Sequence, residues 1–167
     1  VEEKGYIELF EAFRSVRAVV PNAQLIVIGP HEPGKADALG TDVVAAAEAS
    51  GVIFLGHRND VETLYAAMDL YVLASHREGF SRSAMEAAAC GLPVVLANIR
   101  GCRQVGEAGI SGLLVPVSDS QALGQALIDM CSNADRRLRM RKAGLAKAKR
   151  EFDQQDVIDI ALGTYSR

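Results

Sequence analysis

The sequence predicts an α/β fold, a doubly wound parallel sheet with helices on both faces, and three observations support this. From Pro21 onward, short apolar runs rich in β-branched residues alternate with longer Ala-rich stretches of helical period, a pattern typical of repeated βα units. The apolar runs show no polar/apolar alternation, as expected for strands covered on both faces. A length of 167 residues, 49% hydrophobic and 23% charged, suits one folded domain and excludes a disordered chain.

The elements can be placed in chain order. A helix is predicted at residues 6–19, ahead of any strand. Strands are then predicted where the chain is almost wholly apolar, and helices where Ala-rich stretches of helical period separate those runs. The strands are 24–28, 52–55, 70–74, 93–96 and 112–115, and the helices between and after them are 37–49, 60–68, 82–90, 102–108 and 119–132, with two more helices towards the carboxyl terminus.

The amino terminus does not fit this alternation. The chain begins with Val1 rather than Met and leads almost directly into the first helix. In βαβ architecture a helix normally follows its strand. We therefore expect residues 1–167 to be one domain of a larger protein, without its first strand; a sheet domain that begins with a helix is the alternative.

Composition excludes several classes of protein. The 18 Lys and Arg residues against 21 Asp and Glu give a net charge of −3, which disfavours a nucleic-acid partner. The three cysteines are Cys90, Cys102 and Cys131; their odd number and wide spacing argue against a disulfide scaffold or a zinc site. There is no apolar run of about 18 residues and no signal-peptide pattern. We expect a cytoplasmic protein.

The loop after the third predicted strand has the chemistry of a ligand site. Open parallel sheets bind ligands beyond the carboxyl ends of their strands. Here the loop carries Glu78, and the helix that follows carries Glu86. A carboxylate can bind a vicinal diol, and the start of a helix binds anions through free backbone N–H groups. A phosphate flanked by hydroxyls describes a nucleotide sugar, with the anion expected at the amides of Gly79, Phe80, Ser81 and Arg82.

Residues 69–95, DLYVLASHREGFSRSAMEAAACGLPVV, resemble the donor-binding half of family-4 retaining glycosyltransferases of the GT-B fold, the glycosyl transferases group 1. Ordered matches continue through Lys4 and Gly5, and through residues 21–29, 52–60, 100–105 and 109–115. Residues 99–103 are most similar to the capsule and O-antigen branch. The resemblance implies a Rossmann-like domain that follows a separate acceptor-binding domain.

The resemblance also implies roles for individual residues. Glu78 would bind hydroxyls of the donor sugar and Glu86 those of the ribose, while the amides of residues 79–82 bind the diphosphate. Lys4 matches a phosphate-binding lysine that stabilises the departing nucleoside diphosphate. Gly29 corresponds to a close approach after the second strand of the complete domain, and His57 and Arg58 to the contact with the nucleobase.

The implied reaction is transfer of a sugar, with retention, from a nucleoside-diphosphate sugar to a glycan or lipid-linked acceptor. UDP is the expected nucleotide, and neither a metal nor a cofactor is expected. The sequence departs from the family at residues 29–34, GPHEPG, in place of the more usual Gly-x-Gly, and at Gln104, where many relatives have Glu. Two rivals stay open: a GT-B nucleotide-sugar 2-epimerase and a non-enzymatic nucleotide-binding module.

Two features have plain structural alternatives. Ser83 and Glu86 could form a capping box, in which case the helix would begin two residues late and Glu86 would point away from the cleft. Residues 136–150 carry eight cations and no acid. We expect a solvated helix face, with weak adhesion to anionic lipid at the inner membrane face as the alternative.

Overall fold

A computed structural model describes residues 2–30 and 38–152. Five strands alternate with helices through these residues. A 3₁₀ turn at Glu2–Lys4 opens the chain, and the elements in order are α1 Tyr6–Val19, β1 Leu25–Ile28, α2 Thr41–Ala49, β2 Val52–Gly56, α3 Val61–Ala66, β3 Tyr71–Leu73, α4 Arg82–Ala89, β4 Val94–Ala97, α5 Arg100–Arg103, β5 Gly112–Val115, α6 Ser120–Ser132 and α7 Ala134–Glu151.

Every strand pair between these elements is parallel. β1 pairs with β2, from Leu25 opposite Val52, and β4 pairs with β3 on one side and β5 on the other. The hydrogen-bonded strands thus form two sheets, in the orders β1-β2 and β3-β4-β5. The α/β class with parallel strands is confirmed.

The core lies on both faces of β4. Val95 belongs to one buried cluster, with α1 and α6, while Val94 and Leu96 belong to another, with α4 and α5. Successive side chains of a strand point to opposite faces, so one short strand supplies both layers. All four residues of β4 are at most 1% exposed, which explains why its sequence is apolar without alternation.

Element bounds differ from prediction chiefly around α5. The helix predicted at 102–108 is wrong, because α5 ends at Arg103 and the chain turns towards β5. Within that turn the amide of Glu107 donates to Ser111 Oγ at 2.9 Å, and Gly109 has a φ of +76°. The helix predicted at 37–49 begins at Thr41. Of the two carboxy-terminal helices, α7 is present, and residues 153–167 lie outside the described residues.

The cations of α7 are only partly free of protein partners. Arg136 pairs with Asp129, and Arg137 donates to the carbonyls of Met130 and Cys131, both at 2.7 Å. Lys147 is 8% exposed and donates to Glu107 at 3.0 Å and Glu151 at 2.7 Å. Three of the eight cations therefore attach α7 to other elements of the domain. Across residues 2–30 and 38–152, no helix is both long and apolar enough to cross a membrane.

Candidate functional site

The loop between β3 and α4 is fixed by close backbone contacts. At Gly5, which has a φ of +67°, a Cβ atom would lie 2.2 Å from the carbonyl oxygen of Ala74, where β3 has just ended. The amide of His76 donates to the carbonyl of Glu3 at 2.8 Å. A left-handed φ with no room for a side chain requires glycine. These contacts bring the segment before α1 alongside the loop that carries Glu78.

The start of α4 leaves backbone donors available. Ser81 is the N-cap, yet its side chain makes no capping bond, and its Oγ is buried without a hydrogen-bond partner among the described residues. The amides of Gly79, Phe80 and Ser81 likewise have no acceptor among the residues that the structure describes. Such an arrangement, with the positive end of the helix dipole behind it, suits an anion.

Two residues of this segment differ in detail from expectation. The amide of Arg82 is not free, because it donates to the carbonyl of Phe80 at 3.1 Å. The Phe80 side chain packs edge-to-face on Phe152 after α7, with ring centroids 6.2 Å apart. The open backbone donors are thus the three amides before α4, and Phe80 connects this loop to the end of α7.

Lys4, Glu78 and Glu86 line one cavity of about 610 Å³. Lys4 Nζ donates to Glu78 Oε1 at 2.7 Å; the lysine side chain is 52% exposed and the glutamate 18%. Glu86, one turn into α4, is exposed and lines the same cavity. Two carboxylates and an ammonium group therefore converge on one cavity. The open amides of Gly79, Phe80 and Ser81 follow Glu78 directly in the chain, but these three residues do not line that cavity.

The capping-box alternative for Glu86 is wrong. α4 begins at Arg82, so Ser83 lies inside the helix instead of capping it. Its hydroxyl is 2.7 Å from Tyr71 OH, and its carbonyl accepts from Tyr65 OH at 3.3 Å. Glu86 is consequently turned towards the cavity and not back to the helix end.

Buried phenols lie beside Glu86. Burial, with a further contribution from the charge of Glu86, raises the pKa of Tyr65 to about 12. Burial also raises the pKa of Tyr71, an effect that its bond to Ser83 only partly offsets. Both rings are therefore neutral at physiological pH, so the charge at this side of the cavity is that of the carboxylates.

Gly29, His57 and Arg58 lie apart from this cluster. They follow β1 and β2 and so occupy the same edge of the fold, but they do not line the cavity. The amide of Gly29 donates to Gly56 at 2.9 Å, and His57 Nε2 is 3.0 Å from Asn59 Oδ1. Arg58 forms two hydrogen bonds with Asp60, which raise its pKa and lower that of the aspartate.

A sequence comparison decides the family. The profile of the family described as glycosyl transferases group 1 matches residues 1–147. The chain belongs to this family.

Two relatives of this glycosyl transferases group 1 chain are bacterial proteins. It is 26% identical over 155 residues to the capsular polysaccharide biosynthesis glycosyltransferase CapM of Staphylococcus aureus, covering 93% of this chain and 40% of that protein. It is 33% identical over 152 residues to a D-inositol 3-phosphate glycosyltransferase of Stackebrandtia nassauensis, covering 88% and 34%. The chain thus spans less than half the length of these relatives.

Solved structures agree with the fold. Anabaena Alr3699/HepE in complex with UDP superposes with a TM-score of 0.85 at 28% identity, over 99% of this chain and 46% of that one. The C-terminal domain of the Francisella tularensis group 1 protein LpcC superposes with a TM-score of 0.83 at 24% identity, over 92% and 82%. The Rossmann-like fold of a GT-B carboxy-terminal domain is confirmed.

Sequence reasoning missed two residues of this candidate site. His76 Nε2 lies 2.8 Å from Glu8 Oε1 on α1 and 3.3 Å from Ser118 Oγ before α6, joining three distant segments beside Glu78. At Gly101 a Cβ atom would lie 2.5 Å from the carbonyl oxygen of Glu78. Both contacts join residues that are far apart in the sequence, so no local sequence pattern predicts them. Among residues 2–30 and 38–152, no group of three or more His, Cys, Asp or Glu could bind a metal.

Proposed function

We propose that this chain is the donor-binding domain of a retaining glycosyltransferase that transfers a sugar from a UDP-sugar to a glycan or lipid-linked acceptor. The observation that carries the proposal is the convergence of Lys4, Glu78 and Glu86 on one cavity. Three open amides follow Glu78 directly in the chain. Related proteins support the substrate class: Anabaena HepE is described in complex with UDP-glucose. A Campylobacter jejuni relative, 25% identical, is named as a transferase acting on a diphospho-undecaprenol acceptor.

The diphosphate would bind at the start of α4. Three N–H groups, at Gly79, Phe80 and Ser81, and the buried Ser81 hydroxyl are available there. Arg82, next in the chain, has an exposed side chain that can approach the same anion. Backbone donors at a helix start stabilise negative charge without a metal ion.

Lys4 and Glu78 would separate when the donor binds. Their 2.7 Å ion pair is partly exposed, so its contribution to stability is small, roughly 0–1 kcal/mol. Lys4 can then contact the diphosphate, where its charge offsets the negative charge that develops as the sugar leaves. Glu78 becomes free to accept hydrogen bonds from sugar hydroxyls. The acceptor hydroxyl would enter on the face that the diphosphate leaves.

Glu86 would bind the ribose. Its carboxylate lines the cavity next to the neutral Tyr65, and a carboxylate accepts two hydrogen bonds from a vicinal diol. We assign the nucleobase to the region of Gly29, His57 and Arg58, at the carboxyl ends of β1 and β2. That assignment requires the base to extend beyond the cavity towards β2.

The acceptor site would lie in a further domain that precedes this chain, and the complete protein would work at the cytoplasmic face of the membrane. The chain spans only 40% and 34% of the length of two relatives, and this supports such a domain. We propose that exposed cations of α7 make weak contact with anionic lipid there. Arg139, Lys142 and Lys149 are exposed and suit this role.

The decisive experiment measures sugar transfer by the full-length protein. Purified protein is incubated with UDP-glucose, UDP-N-acetylglucosamine or UDP-galactose and with membrane extract as acceptor, and products are analysed by mass spectrometry. Glu86→Ala should abolish or strongly reduce transfer, whereas Glu48→Ala, an exposed acid on α2, should leave it unchanged. Donor that is epimerised without any acceptor would support the epimerase instead.

Binding is tested separately from transfer. Calorimetric titration of the full-length protein with UDP, GDP and ADP should give base-selective binding, tightest for UDP. Equal heats for all three would contradict the assignment of the base, and no heat for any of them would contradict a nucleotide site. Nucleotide binding without transfer under any condition would support a non-enzymatic module.

A further inference from the structure

His76 lies in the β3–α4 loop, two residues before Glu78, and contacts two other segments through one ring nitrogen. Its Nε2 is 2.8 Å from Glu8 Oε1 on α1 and 3.3 Å from Ser118 Oγ, between β5 and α6. An ionised carboxylate only accepts hydrogen bonds, so Nε2 carries a proton and donates to Glu8. This bond forms with either the neutral or the charged imidazole. The His76 side chain thus connects its loop to α1 and to the loop before α6.

A second bond between the β3–α4 loop and the α1 segment comes from the main chain. The amide of His76 donates to the carbonyl of Glu3 at 2.8 Å, and Lys4 is the next residue. Glu3 precedes α1, whereas Glu8 lies in the first turn of that helix. One hydrogen bond leaves a loop free to rotate about it, but two bonds at separate points fix its orientation. The amide and the imidazole of His76 together supply two such points.

The neighbouring ion pair between Arg77 and Glu3 contributes less to this attachment. The two side chains lie 3.0 Å apart, but they are 79% and 66% exposed. The side chains of His76 and Glu8 are only 27% and 21% exposed. Water and salt weaken an exposed pair, whereas a partly buried pair is screened much less. The loop is therefore held against α1 mainly by His76.

Ser118, in the third segment at His76, has an uncommon main-chain conformation. Its φ is +57°, and among residues 2–30 and 38–152 no other residue except glycine has a positive φ. Residues with a side chain rarely adopt this conformation, and those that do are found disproportionately at functional sites. At 3.3 Å, the Ser118 hydroxyl is a more distant acceptor than Glu8. It brings a third part of the fold into contact with the imidazole.

We propose that His76 is a positioning residue that fixes the distance between Lys4 and Glu78. Lys4 Nζ lies 2.7 Å from Glu78 Oε1, and His76 bonds the segment of the first to the loop of the second, so rotation of the loop would separate the pair. His76 does not line the cavity that both side chains line. Its consequence for transfer rests on the proposed function, in which Lys4 contacts the diphosphate and Glu78 the sugar.

Zero-length cross-linking of the full-length protein tests this geometry. A carbodiimide joins a lysine amine to a carboxylate only where the two are in contact, and mass spectrometry of the digested protein gives the yield of the Lys4–Glu78 link. His76→Leu should lower this yield severalfold, because one of the two points of attachment is lost. His76→Gln, which keeps an N–H donor, should restore it. The Lys147–Glu107 link, between groups 3.0 Å apart, is the internal control.

Kinetics of the same variants distinguish positioning from a purely structural role. We expect kcat for sugar transfer to fall about tenfold or more in His76→Leu and to recover in His76→Gln. The affinity for UDP should be nearly unchanged, because the start of α4 and Glu86 stay in place. Glu8→Leu should reproduce the effect, and the double variant should be no worse than either, since both remove one bond. Glu11→Leu, at an exposed acid of α1, is the control.

An unchanged Lys4–Glu78 cross-link in His76→Leu would overturn the proposal. An equal loss of the link in His76→Gln and His76→Leu would do the same, because the N–H donor would then be irrelevant. If His76→Leu does not fold, the link in Glu8→Leu gives the answer. Absence of both transfer and UDP binding in the unmodified protein would contradict the proposed function, and the cross-link would still show whether His76 fixes the pair.

Discussion

The main chain of Gly101 lies against Glu78, so that a Cβ atom at position 101 would be 2.5 Å from the carbonyl oxygen of Glu78 and 2.9 Å from that of Gly79. Both neighbours are backbone atoms, which cannot move aside as a flexible side chain can. The main chain at Gly101, the second residue of α5, thus limits how closely the β3–α4 loop can approach α5. The conformation of the proposed donor site depends on a residue without a functional group.

Gly101→Ala should displace the Glu78 loop. Overpacking of this kind costs about 1–3 kcal/mol, and we expect the kcat/KM for donor to fall about tenfold or more through misplaced groups. Gly144→Ala is the control, because a Cβ there meets nothing closer than 3.9 Å and lies within α7. It should raise the melting temperature slightly and leave kcat/KM unchanged. Equal kinetics for the two variants would contradict the role of Gly101.

Lys4→Met should reduce kcat far more than it reduces stability. Loss of a positioned charge on the leaving diphosphate costs on the order of 10²–10³ in kcat, while the exposed pair with Glu78 contributes only about 0–1 kcal/mol to folding. Steady-state kinetics and urea unfolding of the full-length protein measure the two effects. Arg14→Met, on an exposed part of α1, should change neither. A fall in kcat matched by a comparable loss of stability would mean that Lys4 is structural.

Glu78→Gln should separate binding of the sugar from binding of the nucleotide. The amide keeps the size of the side chain and loses its charge, so hydrogen bonds to sugar hydroxyls weaken. We expect UDP-sugar to bind about tenfold more weakly, since charged hydrogen bonds contribute about 1.5–3 kcal/mol. UDP should bind at least as well as before, because Lys4 no longer has to leave an ion pair with Glu78. Calorimetry with both ligands is the measurement, and an unchanged catalytic rate would rule out this role.

Ser81→Ala and Ser75→Ala form a matched pair. Both hydroxyls are buried and lack a partner among the described residues, so neither replacement should lower the free energy of unfolding. Only Ser81 occupies the N-cap position of α4, next to the open amides. UDP affinity should fall about two- to tenfold for Ser81→Ala, a hydrogen bond of about 0.5–1.5 kcal/mol, and stay constant for Ser75→Ala. The reverse order, measured by calorimetry, would place the anion elsewhere.

The loss of folding stability at low pH should depend partly on Glu151. Hydrogen bonds from Lys147 and Arg150 lower its pKa, against a smaller opposing effect of burial. A carboxylate with a depressed pKa stabilises the fold above its unfolded pKa, and this stabilisation is lost as pH falls through the folded value. Glu151→Gln should therefore flatten the decline of the urea midpoint below about pH 4.5, while Glu48→Gln should not. Parallel curves for both variants would exclude the linkage.

The exposed cations of α7 predict that the protein binds weakly to anionic lipid. The exposed Arg139, Lys142 and Lys149 are available to anionic headgroups at about 1 kcal/mol each, so replacing all three by Gln should weaken sedimentation with anionic vesicles by about 100-fold at low salt. Moderate salt should weaken the unmodified protein likewise. Binding to neutral vesicles alone would remove the proposal.

The strands could be predicted because a strand that is buried on both faces is encoded by a short local run of apolar residues. β4 and β5 match their predicted bounds within a residue, since parallel strands covered on both faces need apolar runs and nothing more. The end of α5 could not be predicted in this way, because the turn after Arg103 depends on Gly106 packing against Leu96 and Val94 of β4. A local sequence window contains no such contact.

The site shows the same division. That Glu78 and Glu86 line one cavity could be predicted because they flank one helix start, and their separation is fixed by that local geometry. Their roles in binding the donor stay predictions. His76 and Gly101 were missed because their partners, Glu8 and the Glu78 carbonyl, come from distant segments. Gly29, His57 and Arg58 followed from strand order alone, and the contacts of their side chains with a base stay a prediction.

The packing of α1 on α6 has a consequence for the newly made polypeptide. Leu9, Phe13 and Val16 of α1 share their buried cluster with Leu123 and Leu127 of α6, and α6 leaves the ribosome only after all five strands β1–β5. Until then the apolar stripe of α1 lacks the cover that α6 provides, and we expect molecular chaperones to bind nascent chains arrested before residue 120 and to release those that extend beyond α6.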